Sequence, residues 1–451
     1  MTRVLVITGD PVGPRMAGPA IRAWNIAQVL AVDNEVSLMT TTTLDPVDAP
    51  FAQHRVKPGE DAAFARLLAR ADVIVFQGHA MAQFDALRTT EKIVVADIYD
   101  PMHLEMLEQG RELGRATWDL RVRTATDVLN EQLALADFFL CASERQRLFY
   151  LGQLAALGRI TPSTYEHDPH LSRLLAIVPF GLDAEPPVHR RNVLKGTLPG
   201  IGSEDRVVIW GGGVYSWFDP RTLIRAMAQL ALRRDDARLF FLGTRHPGVE
   251  AMGIVRESLD LATELGLLDS TVFFNEDWVQ YVDRGDYLSE ADAGVSTHFS
   301  HVETEFSFRT RILDYLWASL PMVVTQGDGF AELIEREGLG VVVPPEDVDA
   351  LAAALERVLY DEAFIEETRR NIHAVRERFT WERVLAPLVD FVRDPTPAAD
   401  RAGRSSRVRN SRTARKRHGA LHDLRMTWHH LRHAGVRPTL DRIALRLRRG
   451  S

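Results

Sequence analysis

The stretch that decides the fold is His298–Thr325, HFSHVETEFSFRTRILDYLWASLPMVVT. After Arg311, Leu313, Leu316 and Trp317 recur at helical spacing. Pro321 then stops the helix, and Met322, Val323 and Val324 form the apolar run of a buried strand. Just upstream, Asp292-Ala293-Gly294-Val295-Ser296 has the composition of a preceding strand's end. Strand, polar loop, helix and strand make one βα unit, so Glu303 to Arg311 is predicted to be a loop and helix start at the carboxyl edge of a parallel sheet. Open α/β sheets bind ligands at that edge, and free N–H groups at a helix start attract phosphate. Glu305 and Asp314 are acceptors suited to the vicinal hydroxyls of a sugar or ribose. Arg309 and Arg311 carry planar forks suited to a diphosphate. A plainer description also fits: Glu303, Glu305, Arg309 and Arg311 as a solvated cluster of surface ion pairs.

Outward from this unit the alternation continues. Short apolar runs at Val4–Ile7, Val36–Met39, Val73–Phe76, Ile93–Ala96 and Phe138–Ala142 alternate with helical patterns, and so do Val207–Trp210, Leu239–Leu242 and Val272–Phe274. Repeated βα units predict an α/β fold of doubly wound parallel sheets. Two strands run into glycine-bearing loops. Val4–Ile7 leads to a Gly/Pro-rich loop with Gly18 and Arg22 at the following helix, and Val207–Trp210 leads to Gly211-Gly212-Gly213. Glycines there let backbone pass close to a phosphate. Two other strand ends carry polar groups, Gln77-Gly78-His79 and the run from Asp97 through Asp100 to His103 and Glu105. Asp97 and Asp100 are candidates for orienting an acceptor, and equally for capping a turn. His79 and His103 are secondary candidates, since a single histidine is more often structural. Cys141, inside an apolar strand, reads as a buried inert thiol.

The quoted stretch resembles the donor-sugar motif of family-4 retaining glycosyltransferases of the GT-B fold. That motif has an acidic residue, seven residues, a second acidic residue, and then a small-x-Pro-β-branched run. The resemblance implies that the first carboxylate contacts the donor sugar and the second the nucleotide ribose. Anchored on Pro321, the second slot falls on Asp314 and the first on Phe306, so Glu305 fills its role only with a one-residue shift. Val178-Pro179-Phe180-Gly181-Leu182-Asp183 resembles the end of the family's first domain, and Phe379-Thr380-Trp381 the start of the helix that crosses back. The domains implied are residues 1–183 on the acceptor side, a linker at 184–202, a nucleotide-sugar domain at 203–378, a return helix at 379–399 and a tail at 400–451. The family's cations after the glycine loop are missing, their slots reading Gly213 and Phe218-Asp219, so Arg309 and Arg311 are expected to replace them. By the same resemblance Trp278 and Val279 would hold the base, Arg245 would join the donor site, and Gly18, Arg22 and His103 would lie on the acceptor side. His79, Asp97, Asp100, Arg309 and Arg311 are the catalytic candidates.

The chain has 451 residues and a net charge of −8, with one cysteine. A single cysteine excludes an internal disulfide, and no apolar run reaches the length of a signal peptide or membrane span, so a cytoplasmic place is expected. Charge is unevenly spread. Residues 401–451 carry fifteen Lys and Arg against Asp423 and Asp441, a net +13, which leaves −21 on residues 1–400. Asp400 to Arg417 reads as disordered, while 420–431 and 440–449 read as basic amphipathic stretches suited to an anionic membrane surface. Nucleic acid is the weaker electrostatic partner, because Trp428 alone is available there to stack on bases. The expected function is transfer of a sugar from a nucleotide-diphosphate sugar to an acceptor hydroxyl, with retention, on a lipid-linked or envelope polysaccharide precursor, and with neither cofactor nor metal. A GT-B nucleotide-sugar epimerase and a non-catalytic sugar or nucleic-acid binding protein are the alternatives.

Overall fold

Two parallel sheets form where the alternation predicts them. The computed structural model describes residues 1–244 and 253–402. The first sheet contains β1 (Arg3–Thr8), β2 (Glu35–Thr40), β3 (Ala52–Arg55), β4 (Val73–Gln77), β5 (Ile93–Asp97), β6 (Phe138–Cys141) and β7 (Leu175–Ile177), in the order β3-β2-β1-β4-β5-β6-β7. The second contains β8 (Arg206–Trp210), β9 (Ala237–Phe241), β10 (Val272–Phe274), β11 (Ala293–Ser296), β12 (Met322–Thr325) and β13 (Gly340–Val343), in the order β10-β9-β8-β11-β12-β13. All pairings are parallel.

Helices cover both faces of each sheet, which is why the strands are continuous apolar runs rather than alternating ones. Val4 and Val6 of β1 join one core cluster while Leu5 and Ile7 join another. In β8, Val207 and Ile209 face one way and Val208 and Trp210 the other. The order reverses at the β1/β4 and β8/β11 junctions, the switch points where such sheets leave a crevice.

The two sheets belong to one compact unit, Met1–Ala398. The chain crosses between them near residue 182 and returns near residue 380. There the Leu182 N–H donates to Phe379 O at 2.8 Å and the Trp381 N–H to Leu182 O at 3.2 Å. Gly181 is required at this crossing, because a Cβ would lie 2.5 Å from the Trp381 indole. The helix Ala386–Arg393 then packs on the first sheet, with Phe391 stacked on Phe138 at 4.3 Å. Two strands escape the reading of apolar runs. β3, Ala-Gln-His-Arg, is a half-exposed edge strand, and β7 is three residues long.

Candidate active site

The carboxyl ends of β1, β5, β8 and β11 open on one cleft, a cavity of about 450 Å³ lined from both domains. That volume lies within the ~300–1,000 Å³ usual for ligand sites.

On the second-domain side the quoted stretch folds as a short helix, Val302–Phe306, a loop, and the helix Arg311–Trp317. Arg311 is buried, and burial lowers its pKa to about 10. Its guanidinium lies over the rings of Trp210 at 4.3 Å and Phe218 at 4.1 Å, and one Nη donates to Gly213 O at 2.8 Å. The other Nη has no hydrogen-bond partner among the described residues. Arg309 is also buried, but Glu303 chelates it through two bonds of 3.0 and 2.7 Å. Phe218, which stands where the family has a cation, instead supports both arginines with its ring face, with Arg309 at 4.9 Å.

Asp314 lines the cleft and shares its carboxylate with Arg284 at 3.2 Å, while burial pushes its pKa up. Arg284 also pairs with Asp183 at 3.0 Å and lies between the rings of Tyr281 and Trp317. Its role depends on contacts with residues far away in sequence, and nothing at its own position signals them.

Gly211, Gly212 and Gly213 line the cleft. Gly212 has a positive φ of 80°. The Gly211 amide does not face an open site, because it donates to the Tyr315 hydroxyl at 2.9 Å. That hydroxyl in turn lies 2.7 Å from Val295 O and 3.1 Å from Ile209 O, tying β8 to β11 beneath the loop. Trp278 and Val279 close the same end of the cleft, with the Trp278 ring 3.5 Å from where a Gly243 Cβ would be.

On the first-domain side Gly18, Asp10, Asp100 and Glu105 line the cleft. Asp100 and Glu105 share a hydrogen bond. Burial raises Asp100 to about 6 and Glu105 well above the usual carboxylate range, and it raises Asp10 as well.

Several expected site residues stand elsewhere. Glu305 is exposed and outside the cleft, while Glu303, two residues earlier, is buried and lines it. Two residues of helix turn the side chain by roughly 200°, so the two positions face opposite ways. Phe306, in the family's first acidic slot, packs on Phe149 at 4.6 Å, across the domain boundary. Asp97 and Arg22 form a fully buried bidentate pair, with bonds of 2.7 and 2.8 Å. Arg22 also donates to the carbonyls of Pro179 and Val178, so both residues anchor the helix Gly18–Leu30 and neither reaches the cleft. His79 is exposed at the start of a short helix, away from the cleft. His103 stacks on Phe149 at 5.6 Å in the interdomain contact. Arg245 and the tail from residue 403 onward lie outside the described residues. Cys141 is buried, and burial pushes its thiol up to about 12.

Among the described residues, no three His, Cys, Asp or Glu side chains gather as metal ligands, and no helix is long and apolar enough to cross a membrane.

Two Rossmann-like domains facing a shared cleft, joined by a crossing and a returning helix, define the GT-B fold. Residues 205–361, within the second domain, match the family described as glycosyl transferases group 1. A D-inositol 3-phosphate glycosyltransferase of Saccharomonospora viridis is 28% identical over 206 residues, 44% of this chain and 45% of that relative. An uncharacterized glycosyltransferase of Methanocaldococcus jannaschii is 28% identical over 195 residues, 42% of this chain. The chain thus matches about half the length of these relatives, 45% in both cases. Among solved structures, sucrose-phosphate synthase of Thermosynechococcus elongatus superposes with a TM-score of 0.62 at 16% identity, covering 87% of this chain and 98% of that one. Anabaena HepE in complex with UDP-glucose gives 0.60 at 16% identity, covering 87% of this chain and all of the other.

Proposed function

We propose that the protein is a glycosyltransferase that moves a sugar from a nucleotide-diphosphate sugar to an acceptor hydroxyl, with retention at the anomeric carbon. The observation that carries this reading is Arg311. A buried guanidinium with no carboxylate partner, half of its fork unpartnered and its face supported by two aromatic rings, is a preorganised site for an anion. It stands beside the triple-glycine loop at a sheet switch point, where a diphosphate is favoured. In this reading Arg311 stabilises the leaving diphosphate, the role for which fixed charge in a water-poor cleft is most effective. Asp314, held by Arg284, accepts from the ribose hydroxyls, and Trp278 and Val279 flank the base. Glu303 takes the sugar-hydroxyl role expected of Glu305, with Arg309 fixing its carboxylate. Asp100, across the cleft, is placed to accept from the incoming hydroxyl. The UDP-glucose bound by HepE supports a donor of this kind.

The test is thermal stabilisation of the full chain by UDP, GDP, ADP and dTDP and their sugar conjugates. One base should give a selective shift of several degrees. In Arg311→Met, which fills the space without the charge, that shift should vanish, and in Asp314→Asn it should shrink. A shift of equal size in Arg311→Met would refute the assignment.

A further inference from the structure

The two walls of the cleft differ in charge, and the difference bears on the acceptor. The inference rests on the donor reading above, because it needs the cleft to be a ligand site. Its independent support is Arg311, more than nine-tenths buried with one Nη unpartnered. The second-domain wall contributes Arg309 paired with Glu303, Arg284 paired with Asp314, and Arg311 with no carboxylate partner. The first-domain wall contributes the carboxyls of Asp10, Asp100 and Glu105, and among its described lining residues there is no Lys, Arg or His. Arg22, behind that wall, is occupied by Asp97 and the carbonyls of Val178 and Pro179.

We infer that the acceptor ring is polyhydroxylated and carries no phosphate or carboxylate: a neutral sugar or polyol, with an amine tolerated in place of a hydroxyl. Carboxyl oxygens accept from hydroxyl or ammonium donors. A phosphate on the same ring would set its oxygens against the carboxyls of Asp10, Asp100 and Glu105 with no side-chain cation between them, in a cleft where charge is poorly screened. The S. viridis relative is named for inositol 3-phosphate. Among the described residues lining this wall there is no cation to meet such a phosphate.

The experiment is equilibrium binding, by ligand-observed NMR, of matched pairs to the full chain. The chain is first saturated with whichever nucleoside diphosphate stabilises it, so that the arginine wall is covered. The probes are myo-inositol against inositol 1-phosphate, and glucose and glucosamine against glucose 6-phosphate. The phosphorylated member of each pair should bind about tenfold more weakly or worse. The double variant Asp100→Asn, Glu105→Gln, checked for an unchanged nucleotide response, should bring the ratio towards one. Equal or tighter binding of the phosphorylated sugars by the wild type overturns the inference. So does an unchanged ratio in the double variant, or the absence of any saccharide binding while the nucleotide binds. Failure of every nucleotide to bind is a different result, and it removes the donor reading instead.

Discussion

At the scale of single residues, the cleft combines groups whose charges are costly to bury. Asp100 is the clearest case, since burial raises it from 3.8 to about 6, against the hydrogen bond with Glu105, which pulls it down. The folded chain therefore holds a proton that the unfolded chain releases between those values. Stability from this group is fully present below the lower value and is lost as the pH rises through the upper one. Asp100→Asn keeps a hydrogen-bonding partner for Glu105 without the charge. It should melt above the wild type at pH 8, with a margin that shrinks as the pH falls from 6 towards 4. Melting curves at three pH values decide this, and a margin independent of pH would show that Asp100 is not the group responsible. Arg311 carries a cost of the opposite sign of charge. Its two aromatic supports and the Gly213 carbonyl offset part of that cost, and a bound diphosphate would offset the remainder.

At the scale of elements, the helix Val302–Phe306 is where sequence and structure part most usefully. Its strand–loop–helix frame follows from the apolar pattern, because strands buried on both faces must be continuous apolar runs. Which acid faces the cleft does not follow, because a two-residue difference in a single helical turn reverses direction. The first domain settles it. Gln146 donates from one amide to Tyr99 O and Phe306 O, both at 2.8 Å, and accepts from the Ala142 N–H at 2.7 Å. One buried side chain thereby joins the loop after β5 to the end of the Val302–Phe306 helix. Such partners lie 47 and 160 residues away in sequence, so no local pattern announces them; the same holds for Arg22 with Asp97 and for Arg284 with Asp314. Gln146→Met, close in volume, leaves three backbone groups unpaired and should cost about 1–3 kcal/mol of stability. It should also raise the apparent KM for donor and acceptor together, a pattern that a merely structural contact would not give. Arg393→Ala, which removes an exposed pair with Asp390 three residues away, should cost under about 1 kcal/mol. Denaturant unfolding and steady-state kinetics on the two variants would separate these effects, and equal losses in both would count against the bridge.

At the scale of the whole molecule, the uneven charge constrains where the protein can work. Residues 1–400 carry −21 and residues 401–451 carry +13. The acidic body is repelled by an anionic membrane, so any contact with such a surface must come through the tail, where each Lys or Arg near the surface contributes about 1 kcal/mol. Among the described residues no helix is long and apolar enough to cross a membrane. The expected outcome is that the full chain sediments with vesicles containing phosphatidylglycerol at low salt and not with pure phosphatidylcholine. Release should follow as the salt rises towards about 0.5 M, where the Debye length falls to a few ångströms. A chain ending at residue 402 keeps the compact unit Met1–Ala398 intact and should stay in solution, with its nucleotide response unchanged. Equal sedimentation with and without the tail would place the contact on the body despite its charge. Sedimentation that persists at high salt would mean that apolar side chains of the tail, rather than its arginines, hold the surface.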